Sequence, residues 1–571
     1  MKFRKRIITA ILPAMLFLVG CSNISLPTNA NTAFKNFTFS LFQQEVSSNT
    51  INLHYSLTEP EKYGITNSVT TLGSFDFNEA STLASIENLE TALHKFSYDL
   101  LSEENQLTYD ILAHHIENSK KDISYYLYEE PLSPVTGVHA QLPILLAEYQ
   151  FYNKEDVKTY LALLKTVPDY FSSLVRFEQQ KSASGLFMSD ELVDAVVEQC
   201  SAFVSMGNDN YLLSTFEERL NTVDQISSSE KKDFVQQNQE CLTQYILPAY
   251  ENLSSSLTAL KGSGKNDGGL CFLSKGKDYF SHLVTRETGS SRSIAELKIL
   301  IQNQITEDLL ASQKILEQNP SIMEKTSGIT ESPDTILKTL ETKISATFPT
   351  SASVNVQVKY VPKALEEILS PAFYLIPSID NYAENTIYIN PAHNLADINL
   401  FTTLAHEGYP GHLYQTTYFA NTDPDPIRSV LNFSGYVEGW ATYAEMCSYY
   451  ISSLEKPYAT LLQKNNSIIL GLYAMADIGI HYDGWGANDT VKFFSAYGIN
   501  DESVIQEIYE YIVGDPANYL TYYVGYAEML ELKKESIERE GDNFSQKDFH
   551  QRILEIGPAP FEVIRKHMLE P

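Results

Sequence analysis

The sequence predicts a mainly α-helical protein with one small β-sheet, and three observations carry that prediction. Apolar residues recur at three-to-four spacing over most of the chain after about residue 35. β-type alternation is confined to two short runs, 353–360 and 385–391. A hydrophobic content of 43%, with 36 tyrosines and 28 phenylalanines, supports a large buried interior.

The first 21 residues read as a targeting signal outside the fold. Lys2, Arg4, Lys5 and Arg6 make a basic start, and Ile7 to Val19 an apolar core too short for a permanent membrane span. Leu18-Val19-Gly20-Cys21 has the form of a lipobox, in which Cys21 becomes the acylated N-terminal residue of a lipoprotein. The acyl chains then hold the protein to membrane lipid at the extracytoplasmic face. Residues 22–34, rich in Ser, Thr, Asn and Ala, read as a flexible tether. Residues 35–571 read as a single helical domain, with an N-terminal half to about 265 and a second half from about 270 that carries the candidate chemistry described below.

Helical periodicity covers 78–95, 102–118, 155–182 and 190–260, the last broken at Gly207-Asn208-Asp209 and near Ser227-Ser228-Ser229. Gly262 to Gly269 is glycine-rich but lacks the G-K-[ST] ending and strand–loop–helix setting of a phosphate loop, so it reads as a surface turn joining the halves. Helices resume at 294–317 and 335–345, the two strands follow, and a helix carrying His406 starts near Asp397. Further helices are expected at 465–481, 489–497, 502–512, 519–540, 543–555 and 561–567. No internal repeat is evident, and no segment after the signal is long and apolar enough to span a membrane.

The formal charge is −31, more negative still without the four basic signal residues, and such a surface repels phosphate backbones. Nucleic acid is therefore not an expected partner. Cys200, Cys241, Cys271 and Cys447 are scattered without C-x-x-C spacing and make no metal site of their own.

The chemistry concentrates in Ala405-His406-Glu407-Gly408-Tyr409-Pro410-Gly411-His412. Two histidines with a glutamate directly after the first form the ligand–ligand–base set of zinc peptidases. Those sites use H-E-x-x-H on one helix face, whereas here the second histidine follows six residues after the first. Six steps of an unbroken helix turn the second ring by roughly 240°, to nearly the opposite side. Pro410 cannot donate to the carbonyl of His406, and Gly408 and Gly411 permit unusual backbone angles. A bulge over 408–411 would return His412 to the side of His406. The alternative on this segment alone is a helix end with a Pro-Gly turn and two incidental histidines. Glu438, 26 residues after His412 on a helix of its own, is a candidate third ligand, a carboxylate, and a three-residue set leaves one position open, the catalytic pattern. Glu445, seven residues on, lies roughly 20° away on that helix; it reads either as a partner orienting a ligand histidine or as a solvated carboxylate.

His406-Glu407, Pro410-Gly411-His412 and Gln415, followed by Glu438-Gly439-Trp440-Ala441 and Tyr443-Ala444-Glu445, resemble the "domain of unknown function 885" family. The resemblance implies a large helical zinc-peptidase-like fold, distantly similar to carboxypeptidase Taq and the angiotensin-converting-enzyme group, with two lobes around a deep cleft. It implies one Zn²⁺ per chain held by His406, His412 and Glu438, with Glu407 as general base. Tyr522 takes the place of a family tyrosine that donates to the oxyanion, and His481 also matches a family position, with a substrate-facing or structural role left open. In related zinc peptidases the strand before the metal helix forms the cleft edge, which makes Tyr388 and Asn390 candidate substrate contacts. Arg428, upstream of Glu438, is a candidate for a substrate carboxylate. The expected activity is extracytoplasmic hydrolysis of short peptides. The competing readings are a lipid-anchored binding or scaffold lipoprotein, and a zinc amidase acting on a cell-wall fragment.

Overall fold

The structure, a computed structural model, describes residues 29–569 apart from 67, 135, 327, 362, 364–365, 367–368 and 394. The signal segment and Cys21 lie outside the described residues. The chain is mainly helical, with a single three-stranded sheet among the described residues. No described helix is long and apolar enough to cross a membrane.

Helices start where the sequence offers caps. Asn153 with Asp156, Ser227 with Glu230 and Ser293 with Glu296 each form a reciprocal capping box, which satisfies backbone N–H groups that the first turn leaves without partners. The same chemistry corrects the end of the expected 22–34 tether, of which 22–28 lie outside the described residues. Ala30–Val46 is a helix whose first turn is capped by Asn29, and Phe34 is fully buried. Asn29, Asn31 and Thr32 belong to a helix start.

The sheet contains β1 (Asn355–Tyr360), β2 (Ala372–Leu375) and β3 (Glu384–Ile389). Their order is β1-β3-β2, with β3 parallel to β1 and antiparallel to β2. β3 is thus the central strand, with both of its hydrogen-bonding edges occupied, and β2 is the edge strand packed on the His406 helix, Asp397–Glu407.

Apolar packing falls into large bodies. One gathers residues 51–257 with Val361, Leu369 and Tyr388, and the other is built chiefly from 279–568 around fully buried Trp440 and Tyr523. A smaller cluster joins Ala30–Val46 to the Glu103–Ser124 helix. Inside the second body, the Glu438 helix (Ser434–Ile451) crosses the Tyr522 helix (Asn518–Glu540) at Gly439 and Gly525. A Cβ on Gly439 would lie 2.4 Å from the carbonyl carbon of Gly525, so the two backbones touch without side chains between them.

Candidate metal centre

The His406 helix ends at Glu407, and a new helix (His412–Ala420) begins after four intervening residues. Between them the backbone folds back on the helix it has just left: the Gly411 N–H donates to the Ala405 carbonyl at 2.9 Å, and Tyr414 N–H to the Gly408 carbonyl at 3.1 Å. Only glycine fits this path, because a Cβ on Gly411 would stand 1.8 Å from the His406 carbonyl oxygen. The indole Nε1–H of Trp440 donates to the Pro410 carbonyl at 2.8 Å and pins the segment to the Glu438 helix. The expected local break is present, as an interruption and restart.

Its consequence is convergence. The rings of His406 and His412 lie 4.7 Å apart, near-perpendicular at 84°. Glu438 Oε2 is 3.4 Å from His412 Nε2 and 3.8 Å from His406 Nε2. One ligand atom from each of the three residues falls within 4.8 Å of the others. Ligands about 2.0–2.1 Å from a tetrahedral zinc stand roughly 3.3 Å apart, so the spacing suits such an ion after small rotations.

The donor set fits a cation on chemical grounds too. His412 is fully buried, yet neither of its ring nitrogens makes a hydrogen bond among the described residues. An imidazole taken out of water with only a carboxylate 3.4 Å from Nε2 is poorly compensated, and a metal at Nε2 would offset that cost. Burial draws the His412 pKa down, favouring the neutral form that metals need. For His406, burial acts downward, but hydrogen bonds donated to the Glu438 and Glu445 carboxylates outweigh it and raise the pKa to about 10. Glu438 is pushed by burial toward the neutral acid, but the two histidines hold it well below its ordinary range. The three residues thus hold a carboxylate and two imidazoles together, a donor set of the kind that binds a cation.

Glu445 settles into the orienting role. Its Oε2 lies 3.1 Å from His406 Nδ1, and its Oε1 accepts from Asn466 Nδ2 at 2.8 Å. A proton on Nδ1 facing that carboxylate leaves the Nε2 lone pair directed at Glu438. Glu407 is buried, and its Oε2 accepts the backbone N–H of Tyr374, on strand β2, at 2.7 Å. The Tyr522 ring centroid lies 6.4 Å from that of His406. Burial, then the charges of Glu438 and others, hold the Tyr522 phenol well above its ordinary pKa, so it remains an O–H donor at neutral pH. Asn466 and the Tyr374 N–H carry no sequence signal, since neither belongs to a motif and one is backbone.

The remaining candidates go elsewhere. His481 is buried against Phe280, accepts the Leu270 N–H at Nδ1 (3.1 Å) and pairs through Nε2 with the Ile512 carbonyl (2.8 Å). Both nitrogens are thereby spent on structure, not catalysis. Burial lowers its pKa from 6.5 to about 4. Because the folded value lies below the unfolded one, the unfolded chain binds the extra proton, and stability falls as pH drops from about 6.5 to 4. The expected loss is at most about 1.4 kcal/mol per pH unit from this residue. Chemical denaturation from pH 7 to 4 checks it; His481→Gln should flatten the slope, and an unchanged slope would refute the assignment.

Tyr388 and Asn390 sit at the end of the central strand, not at the cleft edge. Tyr388 O–H donates to Glu148 Oε2 at 3.2 Å, and the Asn390 amide donates to the Glu366 and Leu369 carbonyls at 2.7 Å. The expectation of a substrate edge on that run fails because β2 lies outside it. Arg428 is buried, donates to the Ile556 carbonyl and stacks 5.1 Å from the Phe419 ring centroid, so it anchors a helix end. Burial lowers its pKa to about 10.

Two solved structures share the architecture. A candidate lipoprotein from Colwellia psychrerythraea superposes with a TM-score of 0.80 at 18% identity, covering 94% of this chain and 98% of that one. A candidate lipoprotein of unknown function from Shewanella oneidensis gives 0.62 at 17% identity, over 95% of this chain and 99% of its own. Comparison with curated proteins gives no match. Residues 74–568 match the family described as bacterial protein of unknown function (DUF885), and the chain accordingly belongs to that family.

Proposed function

We propose that the protein is a zinc-dependent peptidase that hydrolyses short peptides at the extracytoplasmic face of a membrane. The observation that carries the reading is His412: a fully buried imidazole without a hydrogen bond, facing Glu438 and His406, with Glu407 next in sequence to a ligand. A binding protein has no need of that glutamate. His406, His412 and Glu438 would hold the ion, which when bound supplies a Lewis acid that activates water and polarises a carbonyl.

The chain's own groups supply the rest. Glu407, its carboxylate fixed by the Tyr374 N–H, takes a proton from the attacking water and passes it to the leaving nitrogen. Tyr522 donates its O–H to the oxygen that gains charge as the carbonyl is attacked. Strand β2, the sheet edge packed on the His406 helix, lies where an extended peptide would run beside Glu407. The Leu18–Cys21 lipobox and the description of both similar structures as candidate lipoproteins support a lipid-anchored location.

Metal analysis and a cleavage screen test the reading together. The purified protein should carry close to one zinc per chain, and chelation should abolish cleavage of a short-peptide library. Tyr522→Phe should lower kcat by about a hundredfold with zinc content unchanged. Protein free of zinc after growth in zinc, or loaded protein that cleaves cell-wall amides and no peptide, would overturn the peptidase assignment.

A further inference from the structure

A second site lies away from the metal centre, at the meeting of the N-terminal and C-terminal helices. A cavity of about 240 Å³ is bounded by the Val138–Glu148 helix and by Val513–Pro516, the turn leading into the Tyr522 helix. None of His406, Glu407, His412 or Glu438 lines it.

Its lining combines flat apolar faces with unbalanced negative charge. Phe77 and Tyr126 stack at 3.9 Å, and Tyr126 meets Phe177 edge-on at 5.0 Å, forming an aromatic wall. Asp122, Glu129, Glu130, Glu287 and Asp515 line it, and Arg286 is the one basic residue among the described lining residues. That guanidinium is shared among Asp122 (2.9 Å), Glu129 (2.7 Å) and Glu287 (3.3 Å), and His282 Nε2 lies 2.7 Å from Asp122. Lys181, beneath the wall, takes Glu130 Oε2 at 2.6 Å.

Acceptors are then left over. Glu130 Oε1 is buried and makes no hydrogen bond among the described residues. Gln141, 3% exposed and lining the cavity, has a buried Oε1 in the same condition. Water would satisfy these acceptors but would neither neutralise the carboxylates nor cover the aromatic wall. A planar or ammonium cation on an apolar body does all three, through N–H donors, charge and contact with ring faces.

We infer that this cavity binds an amphiphilic organic cation, a guanidinium, amidinium or ammonium group carried on an aromatic or aliphatic body. The inference stands apart from the metal centre, so the test uses chelator-treated full-length protein. Calorimetric titration with benzamidine should show one site per chain, at least about tenfold tighter than for benzamide, its neutral analogue of the same shape. Glu130→Gln and Gln141→Leu should each weaken benzamidine binding by about tenfold and leave benzamide unaffected. Glu130→Gln, at a partly exposed position, decides the matter if the buried Gln141→Leu variant does not fold. Equal affinity for the two probes, no saturable binding, or unchanged affinity in Glu130→Gln would overturn the assignment.

Discussion

Glu407→Gln should leave zinc content and fold intact while lowering kcat by about a thousandfold, a loss of about 4 kcal/mol of transition-state stabilisation. The substitution keeps side-chain size, and the glutamine carbonyl can still accept the Tyr374 N–H that Glu407 accepts at 2.7 Å. What disappears is a group able to carry a proton. Parallel measurement of metal content and peptide turnover separates this from a trivial loss of the centre. A variant retaining hydrolysis within tenfold of the parent would remove Glu407 from the proton path.

The second large effect concerns the crossing behind the centre. Gly439→Val places branched carbons where a Cβ already meets the Gly525 carbonyl carbon at 2.4 Å and its Cα at 2.5 Å. These are backbone atoms, so no side chain can rotate away, and the helices must separate. Overpacking of this kind costs about 3 kcal/mol. Because Glu438 precedes Gly439 and Tyr522 lies one turn before Gly525, separation would also draw the ligand and the donor apart. The variant should unfold several degrees below the parent by circular dichroism and retain substoichiometric zinc. An unaltered melting temperature would show that the crossing is more yielding than its geometry implies.

Much of the helical architecture was legible because burying one face of a helix imposes a period that sequence displays. The Ile294–Gln318 helix, with its Ser293/Glu296 box, begins where its cap and periodicity put it. β2 was not legible: Ala372-Phe373-Tyr374-Leu375 is short and wholly apolar, with no alternation. Missing β2 also misplaced the edge of the sheet, which is why Tyr388 and Asn390 were expected to meet substrate. At the centre, the metal-ligand candidates were legible from residue type and spacing, because a helix of 3.6 residues per turn turns a count into a direction. Glu445 could be placed on the Glu438 face by the same count, but its bond to His406 depends on how two helices pack. His481 and Arg428 show the limit from the other side. Their types suit catalysis, but function depends on where their hydrogen bonds go, and both are spent on the carbonyls of distant helix ends.

Trp440 has a consequence for how this centre tolerates change. It sits two residues after Glu438 and grips the carbonyl of Pro410, between the two histidines. The helix that carries the last candidate ligand is therefore also the gauge against which the first two are set. Adding or deleting a single residue in the four-residue interval 408–411 would disengage that gauge and scatter three donors at once.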